Sequence, residues 1–385
     1  MKSKSNQIFL VLLLISVICS CARNVGDGEL VYTLSTPENC KILDESIKVS
    51  YEIVQPQASC MDAFMSSIDK VVEYKGRLFI MAAETNSIYR TNTIFIFTDS
   101  GEFIKKLSLG RGAGEFPVAS GMDVDKANDI LEVYSVFSSG IYRYTLDGEF
   151  IEMIELPRKT YIGMEKSGGC YLLYTPRITA KNSHYFHLYN PQSGELKSYF
   201  EGVELPLSPG SSIYKDKDGK FLFAKPYSGD FYTFDDSLNP VPAFRFEPTI
   251  PQDALQSSIP NDQAGSKQLD ELSYNKYSSV QMLAKLGEDL YSVDATFDGK
   301  GVKLLYNKKT GETFYGIFES AWFASLVSAD NLWHYYVISP ERLEKFMQQE
   351  FHTETAKQIV NDLAKYQQMD PDSEGNQIIV KVKYE

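Results

Sequence analysis

The chain has 385 residues, with 38 Lys and Arg set against 51 Asp and Glu, for a net charge of −13. That balance, with no clustered basic stripe, excludes nucleic acid as a partner, because phosphate binding needs concentrated Lys and Arg. A 43% apolar composition with 25 Tyr and 23 Phe supports a large packed core, while the count of 2 Trp speaks against a lectin built on sugar stacking.

Lys2 and Lys4 precede an apolar run from Ile8 to Ile18 that is too short to span a bilayer but has the length of a signal-peptide core. The run ends in Ile18-Cys19-Ser20-Cys21, the pattern of a bacterial lipobox with an aliphatic residue at minus three and a small one at minus one. Residues 1–20 therefore read as a lipoprotein signal peptide and Cys21 as the lipidated first mature residue; Cys19 at minus two is unusual and leaves ordinary secretion as the alternative. Several acyl chains would hold the protein firmly to a membrane, at about 0.8 kcal/mol per buried CH₂. Residues 21–45, with Gly, Asn, Asp and a Thr-Pro-Glu-Asn stretch, read as a tether, and alternation begins at Ile47–Val54.

From there one turn returns six times between β-forming runs: Val71–Ala82, Met122–Ser135, Gly163–Pro176, Ile213–Pro226, Met282–Ala295 and Val327–Pro340. A second, offset turn recurs as TDSGEF from Thr98, TLDGEF from Thr145, PQSGEL from Pro191, a degenerate DSLNPV from Asp236, and KKTGET from Lys308. Asp-Gly and Ser-Gly accept positive φ at little cost and so favour tight antiparallel turns. Two interleaved series with a period of roughly 40 to 50 residues predict a propeller whose repeats are four-stranded blades. The fold class is all-β, a six-bladed β-propeller over residues 46–385.

Five blades are expected at Ser66–Leu109, Ala119–Leu156, Thr160–Phe200, Ser211–Glu247 and Ser278–Phe318. An insertion, residues 248–275, separates blades four and five, and loops on rigid scaffolds often carry function. The sixth blade is interrupted by a helical segment, residues 340–366, with Leu343, Phe346, Met347, Phe351, Ile359, Val360 and Leu363 at helical spacing. The closing strand Asn376–Tyr384 needs a partner from the other terminus, and Ile47–Val54 is the natural donor.

Among candidate chemistries, Gly110–Gly114 with Arg111 and Glu115 could cradle an anion through backbone amides, and these two polar residues are the candidate ligand-binding pair. The stretch lies between strands and opens no helix, so a dinucleotide or P-loop reading fails. His184 and His187 form an HxxH, but a strand sends them to opposite faces and makes them poor co-ligands. His334 reads as a strand residue. Asp216, Asp218 and Gly219, like Asp123 and Asp125, read as turn chemistry because a calcium loop needs more oxygen ligands. No metal site, cofactor motif or nucleophile arrangement is found. Leaving Cys19 and Cys21 aside, Cys40, Cys60 and Cys170 remain; Cys40 and Cys60 could bond in an envelope compartment, or all three could be small buried apolar residues.

The segment FTDSGEFIKKLSLGRGAGEFPVASGMDVD from Phe97, with Gly110, Gly112, Gly114 and Glu115 in a Gly-x-Gly-x-Gly-Glu loop, resembles the six-bladed β-propeller lipoproteins of the Bacteroidetes, which are related in blade pattern to NHL-repeat proteins. Ala113 stands where those proteins usually have Pro, and in the terminal EGNQIIVKVKY Gln377 replaces the Pro of an Asn-Pro pair. The resemblance implies the fold and lipoprotein character, and little chemistry. The functional expectation is a lipid-anchored cell-envelope module, on the outer membrane or its periplasmic face, that binds or scaffolds a glycan, peptide or protein without catalysis. The alternative is an envelope hydrolase or lyase with a carboxylate-based site in the central channel.

Overall fold

The computed structural model describes residues 30–43, 47–84, 91–157, 161, 163–175, 184–201, 213–215, 220–224, 229–250, 267–268, 271–272, 274–318, 325–330, 332–367 and 376–385. The first strands are β1 (Leu30–Thr33) and β2 (Val49–Val54). Blade 1 follows as β3 (Met65–Tyr74), β4 (Arg77–Glu84), β5 (Asn92–Thr98) and β6 (Phe103–Lys106). Blade 2 is β7 (Gly121–Asp125), β8 (Ile130–Ser135), β9 (Gly140–Thr145) and β10 (Phe150–Glu155). Blade 3 is β11 (Gly163–Ser167), β12 (Cys170–Tyr174), β13 (His184–Tyr189) and β14 (Leu196–Glu201). Blade 4 is β15 (Ile213–Lys215), β16 (Phe221–Ala224), β17 (Asp230–Phe234) and β18 (Pro240–Glu247). Blade 5 is β19 (Tyr277–Leu286), β20 (Leu290–Phe297), β21 (Lys300–Asn307) and β22 (Glu312–Tyr315). Blade 6 holds β23 (Ser325–Ala329), β24 (His334–Ile338), helices α1 (Pro340–Met347) and α2 (Glu354–Gln367), and β25 (Ile378–Tyr384). Among the described residues these form six sheets, a six-bladed β-propeller with a helical insertion in its last blade.

The sequence pattern explains the layering. Second and third strands read as nearly continuous apolar runs, such as LFIMAA in β4 and TIFIF in β5, because a neighbouring blade covers each of their faces. First strands are mixed, for they line the channel. The turn after β3 shows the geometry: Lys75 and Gly76 both take positive φ, 47° and 70°, the pairing a two-residue hairpin with a right-handed twist requires. At Gly101, φ is +92° and a Cβ would meet Gln55 O at 2.6 Å, so no other residue fits.

The ring closes as expected. β2 pairs antiparallel with β25 from Val49 against Tyr384 to Val54 against Ile379. Asn376 fastens the join, accepting from Met65 N at 2.8 Å and donating to Ala63 O at 2.8 Å and Pro56 O at 3.1 Å. Gln377, in the place of the expected Pro, accepts from Ile68 N at 2.7 Å. Lys381, buried on β25, is ion-paired with Glu52 and Glu73 and lies 4.6 Å from the centre of the Trp333 ring. Helices α1 and α2 set Leu343, Phe346, Ile359 and Leu363 into the main core, with Phe346 5.3 Å from Phe318.

The tether expectation needs correction from Leu30 onward. β1 adds to blade 4 as a fifth strand, parallel to β18, and Lys41 bridges Phe314 on blade 5. The cause is aromatic: Tyr32 is buried with its ring 5.2 Å from Phe244 and 5.3 Å from Tyr306, so this chain segment is core. The reading of the cysteines as buried is also corrected. Cys40 and Cys60 are free rather than bonded to each other, Cys60 is exposed, and Cys40 and Cys170 are half-buried. Burial, with Glu38 nearby, pushes the Cys40 thiol up to about 11. Of the insertion at 248–275, the described ends zip together through Tyr277 N to Pro248 O at 2.9 Å and Ile250 N to Tyr277 O at 3.2 Å.

Candidate functional site

The first strands of the blades stand side by side around the channel, so a polar residue on their inner face meets partners from other blades rather than solvent alone. Lys70 of β3, Asp123 of β7, Glu165 of β11 and Lys215 of β15 come from four successive blades. Lys215 Nζ lies 2.7 Å from Asp123 Oδ2, joining blade 4 to blade 2, and 3.9 Å from Glu165 Oε2. Lys70 Nζ lies 3.3 Å from Glu165 Oε1, joining blade 1 to blade 3. Asp123 also accepts from Val124 N at 2.8 Å. On the blade 6 side, Ser328 Oγ donates to Val71 O at 2.7 Å and accepts from Val71 N at 3.1 Å, locking β23 to β3.

These two carboxylates are driven apart in acidity. Burial favours the neutral form of both. At Asp123 the Lys215 and Lys70 ammoniums overcome it and hold the carboxyl below its usual range. At Glu165 burial prevails, with the Asp123 charge adding to it, and the carboxyl is raised. Lys215 is raised in turn, because Asp123 and Glu165 outweigh the cost of its own burial.

A second cluster extends the site outward between blades 2 and 3. On the other face of β11, Lys166 Nζ contacts Asp125 Oδ2 at 2.6 Å and Glu132 Oε1 at 2.9 Å. Glu132 is fully buried, accepts from Tyr171 OH at 2.8 Å, and sits 3.3 Å from Arg143 Nε. Arg143 pairs with Glu152 on β10. Burial raises the Glu132 carboxyl, and among the described residues its Oε2 has no hydrogen-bond partner. Both clusters open into one cavity of about 1020 Å³, also lined by Ser167, Gly168, Gly169 and Gln192. The arrangement offers donors and acceptors of both signs on a preformed wall, suited to a polar ligand that hydrogen-bonds at several points.

Neither of the two residues singled out from the sequence lines this cavity. Arg111 and Glu115 lie on the connection from β6 to β7, where Arg111 is exposed and Glu115 turns back on its own loop, accepting from Gly112 N at 2.9 Å. Gly114 packs on blade 2, with its carbonyl accepting from Tyr144 OH at 3.0 Å. Asp125 does the turn work expected of it, accepting from Ala127 N at 3.2 Å and Asn128 Nδ2 at 2.7 Å. Asp123 does not: it is a channel residue. Asp216, Asp218, Gly219 and Cys21 lie outside the described residues. The rings of His184 and His187 approach to 6.4 Å, yet His187 Nδ1 is engaged by Ser198 Oγ at 2.8 Å, and no metal-binding group of three occurs among the described residues.

The channel residues were visible as a pattern. Each of the first strands IDK, MDVD, MEKS and IYK carries a charge one or two places from an apolar residue. An isolated solvated hairpin would look the same, so only the ring distinguishes the two.

No curated protein matches the chain. Among solved structures, a Bacteroides fragilis protein described as exported superposes with a TM-score of 0.70 at 16% identity, covering 92% of this chain and 99% of its own. A member of the DUF4221 family from Bacteroides vulgatus superposes with a TM-score of 0.54 at 13% identity, covering 88% of this chain and 98% of its own. At such identities the likeness is one of fold. A sequence family is a stronger match: Domain of unknown function (DUF4934) aligns with residues 59–383, nearly the whole propeller, and the chain belongs to that family.

Proposed function

We propose that this protein is an exported binding module that takes a polar ligand, a glycan or peptide segment, at the charged mouth of its central channel. The observation that carries the reading is the preformed cavity of about 1020 Å³ whose wall presents Lys70, Asp123, Glu165 and Lys215. Buried ion pairs contribute little net stability against an apolar core of the same volume, so a channel built from them is better accounted for by recognition than by folding. Export is supported by the apolar run at Ile8–Ile18 and by the fold shared with the B. fragilis protein described as exported.

The test is a melting screen of the purified protein against glycans and peptides, repeated with Lys215→Met. A ligand raises the melting temperature by mass action, by about 2.7 kcal/mol of stabilisation at a hundredfold excess over Kd. The shift should be lost in Lys215→Met, which leaves Asp123 without its nearest counter-charge. A ligand shift that survives this change would place binding elsewhere.

One observation favours a second reading, an envelope hydrolase or lyase: Asp123 is held below and Glu165 above the usual range, the separation an acid and base pair requires. Turnover of the compound that shifts melting, abolished by Glu165→Gln, would establish it, and intact compound after prolonged incubation would dismiss it.

The anchor is proposed at Cys21, from the lipobox alone. Cys21→Ser is expected to move the protein from the membrane to the soluble envelope fraction with its melting temperature unchanged. Equal membrane retention of both forms would remove the anchor from the proposal.

A further inference from the structure

The outer edge of each blade is a row of backbone groups open to another strand, and this ring guards its edges unequally. On blade 4, β18 is covered by β1. On blade 5, β22 is bridged by Lys41, which accepts from Tyr315 N and donates to Thr313 O, each at 2.9 Å. On blade 6, β2 lies under α2, with Tyr51 OH donating to Asp362 at 2.5 Å. On blade 1, β6 carries Lys105 and Lys106, the latter 3.0 Å from Asp62. On blade 3, β14 carries Lys197, and Tyr199 OH donates to Leu238 O at 2.7 Å.

Blade 2 is different. Its edge strand β10, FIEMIE, contains neither Lys nor Pro, and no described residue pairs with its outer side. It exposes Phe150 at 40%, Ile151 at 46% and Met153 at 44%, contiguous along one strand. A bulge at Phe150 to Glu152 kinks only its start.

We propose that β10 is a dimerisation edge, through which two copies of this chain join antiparallel about a two-fold axis at Met153. The backbone allows it. Leu156 N donates inward to Ser139 O at 2.8 Å, and bonding alternates along an antiparallel ladder, so the amide and carbonyl groups of Met153 and Glu155 point outward. Centring the pair on Met153 sets Met153 against its own copy, Ile151 against Glu155 and Glu152 against Ile154. Every carboxylate then falls opposite an apolar side chain, whereas a shift of two residues toward the start of the strand would set Glu152 against Glu152. Self-complementarity of this kind is what an isologous interface requires. It also selects a second copy over an unrelated acidic strand, whose carboxylates would face Glu155, while Glu152 is already held by Arg143. The pairing merges two blades into one eight-stranded sheet, and Glu152 and Ile154 of β10 also line the cavity.

Sedimentation equilibrium of the purified protein is the test, with Met153→Lys and, as a control on the lysine-guarded blade 1 edge, Ile104→Lys. The wild type and the control are expected at twice the chain mass. Met153→Lys is expected at the monomer mass with an unchanged far-ultraviolet circular dichroism spectrum. A wild type that is monomeric at every concentration up to its solubility limit would overturn the proposal. So would a dimer that persists in Met153→Lys, since it would have to form through another surface.

Discussion

Replacing Asn376 with Ala is expected to lower the stability of the propeller by about 3–5 kcal/mol, because three buried backbone groups each lose a partner and each costs about 1–3 kcal/mol. The side chain is 1% exposed and joins Met65 N, Ala63 O and Pro56 O, which lie between the closing blade and blade 1. Against a total stability of about 5–15 kcal/mol, the loss is a large fraction of what holds the ring together. Urea unfolding monitored by tryptophan fluorescence provides the measurement, as Trp333 sits on the Lys381 ammonium at the same closure. A midpoint within error of wild type would mean that the ring is closed by the β2 to β25 ladder alone.

The second large effect is a dependence on acid. His334, on β24, is 1% exposed, with its ring 4.9 Å from Tyr384 and 6.2 Å from Tyr336. Neither ring nitrogen has a hydrogen-bond partner among the described residues. Burial, reinforced by the nearby Lys303 ammonium, which is itself paired with Asp294 at 2.6 Å, pushes its pKa down to about 3. In the unfolded chain the imidazole returns to its ordinary 6.5 and binds a proton that the folded state refuses. Stability is therefore full above pH 6.5 and falls toward pH 3, at a slope approaching about 1.4 kcal/mol per unit. His334→Phe should remove that slope, so its unfolding free energy relative to wild type should improve by about 2 kcal/mol between pH 7 and pH 5. Glu132 and Glu165, raised by burial, act with the opposite sign, and the difference between wild type and variant cancels them. Asp362, held at about 2 by Lys365 and Tyr51, contributes only below its unfolded value of 3.8, outside the window. Parallel pH profiles for the two proteins would show that the imidazole is hydrated in the fold.

The ring was legible in the sequence because its cause is local. Turns need Gly or Asp at a fixed offset, and second and third strands are mostly apolar because a neighbour covers both faces. The closing partner was legible by elimination, since one alternating segment precedes the first turn and one follows the last helix. Three things depended on distance instead. Tyr32 is one aromatic in a polar stretch and becomes core only where Phe244 and Tyr306 converge on it. Asp123 has the context of a turn residue until Lys215, from two blades on, comes within 2.7 Å. Arg111 and Glu115 drew notice through glycines whose work is to carry the chain from blade 1 to blade 2, while the charges that meet in the cavity are scattered singly through first strands.

The closure also sets an order in time. Lys381 and Glu52, which meet across the last ladder, are separated by 329 positions. Pairings of such range are slow to form, and this one cannot begin until the final strand has been synthesised. Five blades can gather as they emerge, but the circle stays open until β25 arrives.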